Sequence, residues 1–451
     1  MKLLKPTKNI KRSSFHDELQ QNALQFNTKF SFDFSGGNLS SDSGLLFIKE
    51  FIHKIGFDSL LKHYFGTDKR KTHSISSVIE QLIYQNIAGY HRDDAADHLR
   101  YDPVFTAVME KEALASQPTI SRTLNSFEQK DIDKFNDILE HLYKMTHKPS
   151  SKEHIILDLD STNVKTHGHQ DESTYIYHYG TTGYHPMVLY DGLTGDLMKF
   201  MLRKGSEYTS TGVVSFLEPV LFSLRRTYPE ATILVRGDSG FAVPQLYDLC
   251  EEYGVHYLFK LKANATLHRL SSYEEELFLT NYKTDYSKYH CQYNDFSYQA
   301  KSWSRSRHVV IKIERSPGEL VPRKSFIITS LRLDAPDILK AYNKRGNMEN
   351  YIKETKLDFG LDHLSHSSFL ANQAKAMILA VAYSLVNAMK QLVLPKEFSK
   401  SRMSTLRTLF IKIAGKSISH AKKIKMRLCS SAPYKEAILK MLENIHLLAL
   451  G

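Results

Sequence analysis

Hydrophobic and polar residues recur with different periods along the chain, and the change of period divides it into parts. In residues 1–150, apolar residues recur every three to four positions over 78–88 and 133–145, after an extended start at 32–34. This spacing predicts amphipathic helices, each with one buried face. The first part is therefore expected to be a mainly helical N-terminal domain.

From residue 151, short apolar runs alternate with helical stretches. The pattern predicts a strand, a hairpin, a helix, a strand, a helix and a strand, at 154–160, 186–202, 213–226, 231–236, 243–253 and 255–261. This order is typical of a mixed α/β domain. Strand-like runs at 309–313 and 325–329 follow, before a long helical region that begins near Asp334.

Positive charge is concentrated near the C-terminus. The 451 residues include 60 Lys and Arg against 49 Asp and Glu, and residues 391–430 hold ten of these cations against Glu397 alone. Such density favours a polyanionic partner, although a solvated basic face is the alternative. Alternating residues predict two strands with one basic face, at 409–413 and 424–428, beside Lys423 and Lys425.

Several classes of protein are disfavoured by composition. No run of about 18 uncharged apolar residues is present, so we expect no membrane span. Residues 1–12 carry five cations without an apolar core, which indicates a basic arm on a cytoplasmic protein and not a secretory signal. Three scattered cysteines cannot form a disulfide framework or a four-thiolate zinc site.

One segment of the N-terminal part resembles a DNA-recognition helix. Ser116 is a capping residue, Pro118 stands in the first turn, and Ile120 and Leu124 share one face. In a helix-turn-helix the outward residues would contact DNA, and here these are Gln117, Thr119, Ser121 and Arg122. A plain packing helix is the alternative.

Two aspartates stand at the ends of predicted strands. Asp160 shares one side of its strand with Asp158, because side chains alternate with period two, and Asp238 follows the strand at 231–236. Open α/β sheets bind ligands beyond the carboxyl ends of their strands. The two carboxylates can therefore converge. Asp158 is expected to be either an acid that supports the site from behind or a spare ligand.

A third acid lies on the helix that begins near Asp334. At about 100° per residue, four polar residues of this helix fall within about 60° of one another, namely Tyr342, Arg345, Glu349 and Lys356. Gly346 weakens the helix by about 1 kcal/mol, so a local break is expected there.

These residues carry a family resemblance. The pattern Tyr-x2-Arg-x3-Glu-x6-Lys, formed by Tyr342, Arg345, Glu349 and Lys356, resembles the signature of a group of bacterial insertion-sequence DDE transposases. Asp160 followed by Ser-Thr, and Asp238 followed by Ser-Gly-Phe, resemble that group's first and second catalytic aspartates. The resemblance extends over roughly 40–430 of the chain.

The resemblance implies a fold and an activity. The fold is a ribonuclease-H-like catalytic domain at 151–400 with a β-rich insertion at about 265–332, between a DNA-binding domain at 1–150 and a basic region at 401–451. The activity is metal-dependent cleavage at insertion-sequence ends and strand transfer into target DNA. Bacterial cytoplasm, near the nucleoid, is the expected location, and a homodimer is the expected state on double-stranded DNA.

The resemblance also implies residue roles. Asp160, Asp238 and Glu349 would bind two Mg²⁺ ions, which Mn²⁺ can replace, because hard cations prefer oxygen ligands. Arg345 and Lys356 would clamp phosphates, and Tyr342 would donate a hydrogen bond to one.

Other interpretations remain open. A DNA-binding protein of the same fold without cleavage activity, and a nuclease that does not transpose, fit the same residues. Trp303, the only tryptophan, could stack on a displaced base or pack in the core, and packing is favoured. Gly237-Asp-Ser-Gly240 resembles a serine-protease loop, but Phe241 stands where a further glycine is expected.

Overall fold

The computed structural model describes residues 23–24, 26–68, 71–148, 153–283, 285–420 and 423–449. The predicted basic arm at 1–12 lies outside them. The described α-helices are α1 (Leu45–Lys54), α2 (Phe57–Phe65), α3 (Ile75–Ala88), α4 (Ala95–His98), α5 (Pro103–Met109), α6 (Gln117–Leu124), α7 (Gln129–Thr146), α8 (Val213–Thr227), α9 (Pro244–Glu252), α10 (Ala265–Leu270), α11 (Ser272–Asn281), α12 (Ala335–Asn343), α13 (Asn347–Leu357), α14 (Phe369–Leu392), α15 (Met403–Leu406) and α16 (Lys435–Leu447).

The strands begin with a short N-terminal hairpin and end with a C-terminal one. They are β1 (Ala23–Leu24), β2 (Asn27–Ser31), β3 (Leu39–Ser40), β4 (His154–Ser161), β5 (Val164–Lys165), β6 (Thr174–Ile176), β7 (Thr181–Tyr184), β8 (Met187–Asp191), β9 (Leu197–Met201), β10 (Thr232–Gly237), β11 (His256–Leu261), β12 (His290–Tyr298), β13 (Arg307–Arg315), β14 (Arg323–Thr329), β15 (Gly415–His420) and β16 (Lys423–Leu428).

A mixed eight-stranded sheet forms the centre of the molecule, in the order β12-β13-β14-β11-β10-β4-β8-β9. Strands β4, β10 and β11 are parallel, whereas β8 and β9 run as an antiparallel hairpin beside β4. The expected mixed α/β class is confirmed. Strands β12–β14 of the predicted insertion extend this sheet, because β14 pairs along β11, and the insertion's first part is helical as α10 and α11.

The two faces of the sheet have different chemistry. Ile155, Leu157 and Leu159 of β4 point into a core formed with α8 and α9. The alternate residues of β4 point to the opposite face, as period two requires. Asp158 and Asp160 therefore lie on the side that α12 and α13 cover.

The N-terminal helices share a core with the C-terminal half of the chain. One hydrophobic cluster joins residues of α1, α3 and α7 to α14, α16 and the strands β8 and β9. Helix α14 is the one helix in the described ranges that is long and apolar enough to cross a membrane by length and composition, and 89% of its most apolar window is buried inside the protein. The domain boundary at residue 150 stays a prediction.

The C-terminal strands follow the predicted pattern in part. The strand at 424–428 is confirmed as part of β16, which pairs with β15. The strand predicted at 409–413 is wrong, because Arg407–Ile411 forms a π-helical turn directly after α15. Leu406, Phe410 and Ile411 are all buried, because a helical backbone places residues four and five apart on one face, whereas adjacent residues of a strand would point to opposite faces.

Candidate active site

Asp160 and Asp238 lie side by side at the ends of neighbouring strands. Gly237 of β10 pairs with Leu159 of β4 in parallel register, so the next residue of each strand is an aspartate. Adjacent strands are about 4.8 Å apart. The predicted convergence of these two residues is therefore built into the sheet register.

Backbone amides hold both carboxylates. The Ser161 amide donates to Asp160 Oδ1 at 2.8 Å, and the Gly240 amide donates to Asp238 Oδ1 at 2.8 Å. A Cβ atom at Gly240 would lie 2.6 Å from Thr209 Cγ2 and 3.0 Å from Asp238 Oδ1. Only glycine fits this turn without moving the carboxylate.

The predicted helix crosses the sheet beside these acids. It consists of α12, a 3₁₀ turn at Lys344–Gly346 and α13, so the local break expected at Gly346 is present as a tightened turn. Arg345 Nη2 lies 2.8 Å from Asp160 Oδ2, and both side chains are largely buried. Glu349 is exposed in the first turn of α13.

The acids and the helix are electrostatically coupled. Burial raises the pKa of Asp160 to about 6, while the Arg345 guanidinium opposes this rise and the carboxylates of Asp238 and Glu349 add to it. Burial also raises the pKa of Tyr342, whose phenol lies within the field of Arg345, Asp238 and Asp160. Three acids, a guanidinium and a phenol thus share one site.

Asp158 has a different role from Asp160. Arg236 binds it in a bidentate pair, with Nε to Oδ1 at 2.6 Å and Nη2 to Oδ2 at 2.7 Å, and both side chains are fully buried. The third nitrogen, Nη1, donates to the Ala341 carbonyl of α12 at 2.6 Å. This pair fastens the sheet to the helix that carries Arg345.

Lys356 lies at the edge of the site. Its Nζ donates to the backbone carbonyl of Asn163 at 2.7 Å and lies 3.5 Å from Asp362 Oδ1. Asn163 is three residues beyond Asp160, so the lysine holds the loop that follows β4.

The donor set fits a hard divalent cation by its chemistry, because carboxylate oxygens are the ligands that Mg²⁺ prefers. The side chains are not gathered into a finished site: within the described ranges, no three Asp, Glu, His or Cys residues lie close enough together to hold a metal ion. Arg345 instead neutralises Asp160.

The predicted recognition helix forms as α6, with Ile120 and Leu124 buried. Arg122 is exposed, whereas Gln117, Thr119 and Ser121 are half-buried. Gln117 and Ser121 line an open cavity of about 740 Å³ together with four carboxylates, those of Asp93, Asp94, Asp97 and Asp362. Arg92 and three histidines line the same cavity, and Asp93 is paired with Lys375 and His366. The contact of α6 with DNA stays a prediction.

Two other predicted DNA contacts have different surroundings. Trp303 is buried, with its ring 5.0 Å from Tyr298 and 5.5 Å from Tyr247, which corrects the idea of a free stacking surface in favour of packing. Lys423 and Lys425 are exposed on β16.

Sequence reasoning missed two residues beside the acids. Tyr179 Oη donates to the Ser161 carbonyl at 3.3 Å, and burial together with Asp160 and Asp238 raises its pKa to about 12. His185 Nε2 lies 3.0 Å from Ser161 Oγ, and its Nδ1 lies 2.9 Å from the Glu207 carbonyl. The only signal was the alternation of tyrosines around Ile176, in a stretch for which no element was predicted.

Comparison with known proteins places the chain in a family. Residues 22–450 match the family described as transposase DDE domain group 1. No curated protein matches the chain. Among solved structures, the cryo-EM structure of the piggyBac transposase synaptic complex with hairpin DNA is similar, with 13% identity, a TM-score of 0.43, and coverage of 82% of this chain and 80% of that one. The chain belongs to the transposase DDE domain group 1 family and is a DNA transposase, an enzyme of a class that generally acts with divalent metal ions.

Proposed function

We propose that this transposase is a bacterial insertion-sequence enzyme that cuts at the ends of its element and joins them to target DNA, with Asp160, Asp238 and Glu349 as ligands of two Mg²⁺ ions. The register that sets Asp160 beside Asp238 on parallel strands is the observation that carries this proposal. The strand order β9-β8-β4-β10-β11, in which β8 alone runs opposite to the other four strands, is the order expected of a ribonuclease-H-like fold. It supports the same interpretation.

The residues of the chain have distinct tasks in this proposal. The chemistry that a pair of bound divalent cations supplies is activation of an oxygen nucleophile and stabilisation of the departing oxyanion. Arg345 neutralises Asp160 in the structure and can offer its planar fork to a phosphate once a cation takes that place. Tyr342 lies in the same field and can donate to phosphate.

Lys356 and Arg236 position the acids. Lys356 holds the loop after Asp160, as a fixed cation at the edge of the site. Arg236 joins β4 to α12 through Asp158 and the Ala341 carbonyl. We also propose that two copies of the chain act together on paired DNA ends, in the bacterial cytoplasm near the nucleoid.

Cleavage of a labelled duplex that carries the element's own ends tests this proposal. With Mg²⁺, the native protein should cut, and a chelator should stop the reaction. Asp238→Asn and Glu349→Gln should each lose cleavage by more than about a hundredfold while binding the ends nearly as well as the native protein, because each removes an anionic ligand without changing the shape of the side chain.

Unchanged cleavage by Asp238→Asn would contradict the carboxylate assignment. Tight binding without cleavage by the native protein would favour a DNA-binding protein of this fold. Cleavage without strand transfer would favour a nuclease. Asp295→Asn, an exposed aspartate on β12, is the matched control and should cut normally.

A further inference from the structure

Exposed tyrosines are concentrated beside the acids. Eight tyrosines are exposed in the described ranges, and four of them lie between residues 175 and 208, namely Tyr175, Tyr177, Tyr179 and Tyr208. We call these four the tyrosine shelf. Tyr177 is 91% exposed, so its ring has almost no packing role in the fold.

Strand alternation makes the shelf. Ile176, the last residue of β6, is buried, whereas Tyr175 of β6 and Tyr177, the first residue of the turn that follows, are exposed. Their rings are perpendicular, with centroids 5.2 Å apart. The turn after β6 then brings Tyr179 back toward the sheet, through hydrogen bonds from the Tyr179 and Gly180 amides to the Ile176 carbonyl.

A chain of contacts fixes the shelf to the acids. Tyr179 donates to the Ser161 carbonyl, directly after Asp160, and its ring centroid lies 5.9 Å from that of His185. His185 donates from Nδ1 to the carbonyl of Glu207, the residue before Tyr208, and its neutral ring accepts at Nε2 from the Ser161 hydroxyl. These contacts tie Tyr179 and the residue before Tyr208 to the strand end that carries Asp160.

A second clamp holds the loop that carries Tyr208. Arg203 is buried, and its Nη1 donates to the carbonyls of Tyr208, Thr209 and Thr211 at 3.0–3.1 Å. The same loop packs Thr209 against Gly240 of the Asp238 turn. The shelf thus borders the site on the side of both aspartates.

We infer that the tyrosine shelf binds an unpaired DNA base next to the phosphate that the acids process. Resting on the proposed function, this inference adds a substrate feature, namely a strand whose bases are not all paired. In a duplex, the faces of each DNA base are covered by the neighbouring stacked bases. An unpaired base has a free face that an aromatic side chain can cover. Lys165, exposed on β5 and two residues from the Asn163 loop, offers charge for the adjoining backbone.

Fluorescence of a forked DNA tests the inference. The probe is a duplex with a single-stranded arm whose first unpaired base is 2-aminopurine, titrated without divalent cation so that it is not cut. The native protein should quench the base, and Tyr177→Phe, which keeps the ring, should do the same. Tyr177→Ala should bind the fork at least about fivefold more weakly and quench less, with unchanged affinity for a fully paired duplex.

Tyr273→Ala is the matched control, since Tyr273 is 69% exposed on α11, and it should behave as the native protein. Absence of quenching by the native protein, equal quenching by Tyr177→Ala, or an equal loss of affinity for the paired duplex would each overturn the inference. If such a result came with normal metal-dependent cutting that Asp238→Asn abolishes, the proposed function would stand while the shelf fell.

Discussion

At the scale of single residues, the two aspartates of β4 differ because of what faces them. Asp158 is fully buried against a guanidinium, whereas Asp160, two residues later, reaches the end of the sheet where solvent and substrate can enter. Alternation alone put both on one face. Arg236, opposite Asp158 in the parallel register, encloses that carboxylate in a fully buried bidentate pair, whereas Arg345 reaches Asp160 through Nη2 in a pair that is partly open.

The buried pair should make Arg236→Met strongly destabilising. The substitution leaves the Asp158 carboxylate buried without a cation and the Ala341 carbonyl without a donor, so the free energy of unfolding should fall by about 3–5 kcal/mol. Chemical denaturation of the native protein and the variant measures this loss.

Two further variants define the cause. Asp158→Leu combined with Arg236→Met removes both charges and should recover a large part of the loss, because a pair of apolar side chains has no desolvation penalty. Arg226→Met, at an exposed arginine near the end of α8, should change the free energy of unfolding by less than about 0.5 kcal/mol. Equal losses for Arg236→Met and Arg226→Met would contradict the role of the pair.

At the scale of elements, long periodic segments could be predicted from the sequence. The strand at β4, the hairpin β8–β9 and the helices α8 and α9 were predicted nearly at their bounds, because each element has five or more residues with an apolar run or period long enough to recognise. Strands β5, β6 and β7 are two to four residues long and were missed. So short a strand shows no period, and the tyrosine shelf was missed with them.

The site itself could be predicted only in part. Asp160 and Asp238 could be predicted from the ends of two strands, and Glu349 from one face of a helix. The ion pair of Arg345 with Asp160 could not, because it depends on how the helix crosses the sheet. Lys356 shares the helix face of Arg345 but reaches Asn163, because a loop from β4 intervenes. Periodicity gives the face of an element and not its partner.

The hairpin β15–β16 has one basic face by its register. Lys423, Lys425 and Arg427 lie opposite His420, Ile418 and Lys416, whereas the alternate residues Met426 and Leu428 pack on the core shared with the N-terminal helices. The basic face of β16, the outer strand of a sheet in which β15 also pairs with β3, is therefore turned to solvent, and we predict that it contacts DNA phosphates.

Lys423→Ala combined with Lys425→Ala should weaken DNA binding and reduce its salt dependence. Each lysine that no longer neutralises a phosphate makes the slope of log K against log salt shallower by about 0.9, so the double variant should bind with a slope about 2 units shallower. Titrations at several salt concentrations measure this slope. Lys288→Ala with Lys301→Ala, exposed on either side of β12, is a control of equal charge, and an equal change there would contradict a specific role for the hairpin.

At the scale of the whole molecule, the strands β8 and β9 join the two main cores. Val188 and Leu197 face the helical core that contains α14, whereas Leu189 and Met198 face the core under α8. Strand β4, which carries Asp160, pairs directly with β8. Loss of packing in the helical core should therefore also destabilise β4 and the acids that it carries, because a single layer of strands connects them.

Leu379→Ala tests whether these cores unfold as one unit. Leu379 is fully buried in α14, and its truncation should cost about 2–5 kcal/mol through lost burial and a cavity. Trp303, the only tryptophan, lies in the other core and reports on it by fluorescence, while circular dichroism reports on all helices. If β8 and β9 couple the cores, both signals should shift to lower denaturant by the same amount, because neither side of the strands can remain folded alone.

Leu439→Ala, at a leucine 49% exposed on α16, should shift neither signal. A Trp303 transition that stays at its native midpoint while the helical signal moves would mean that the helical layer unfolds independently, and that the catalytic sheet is stable without it.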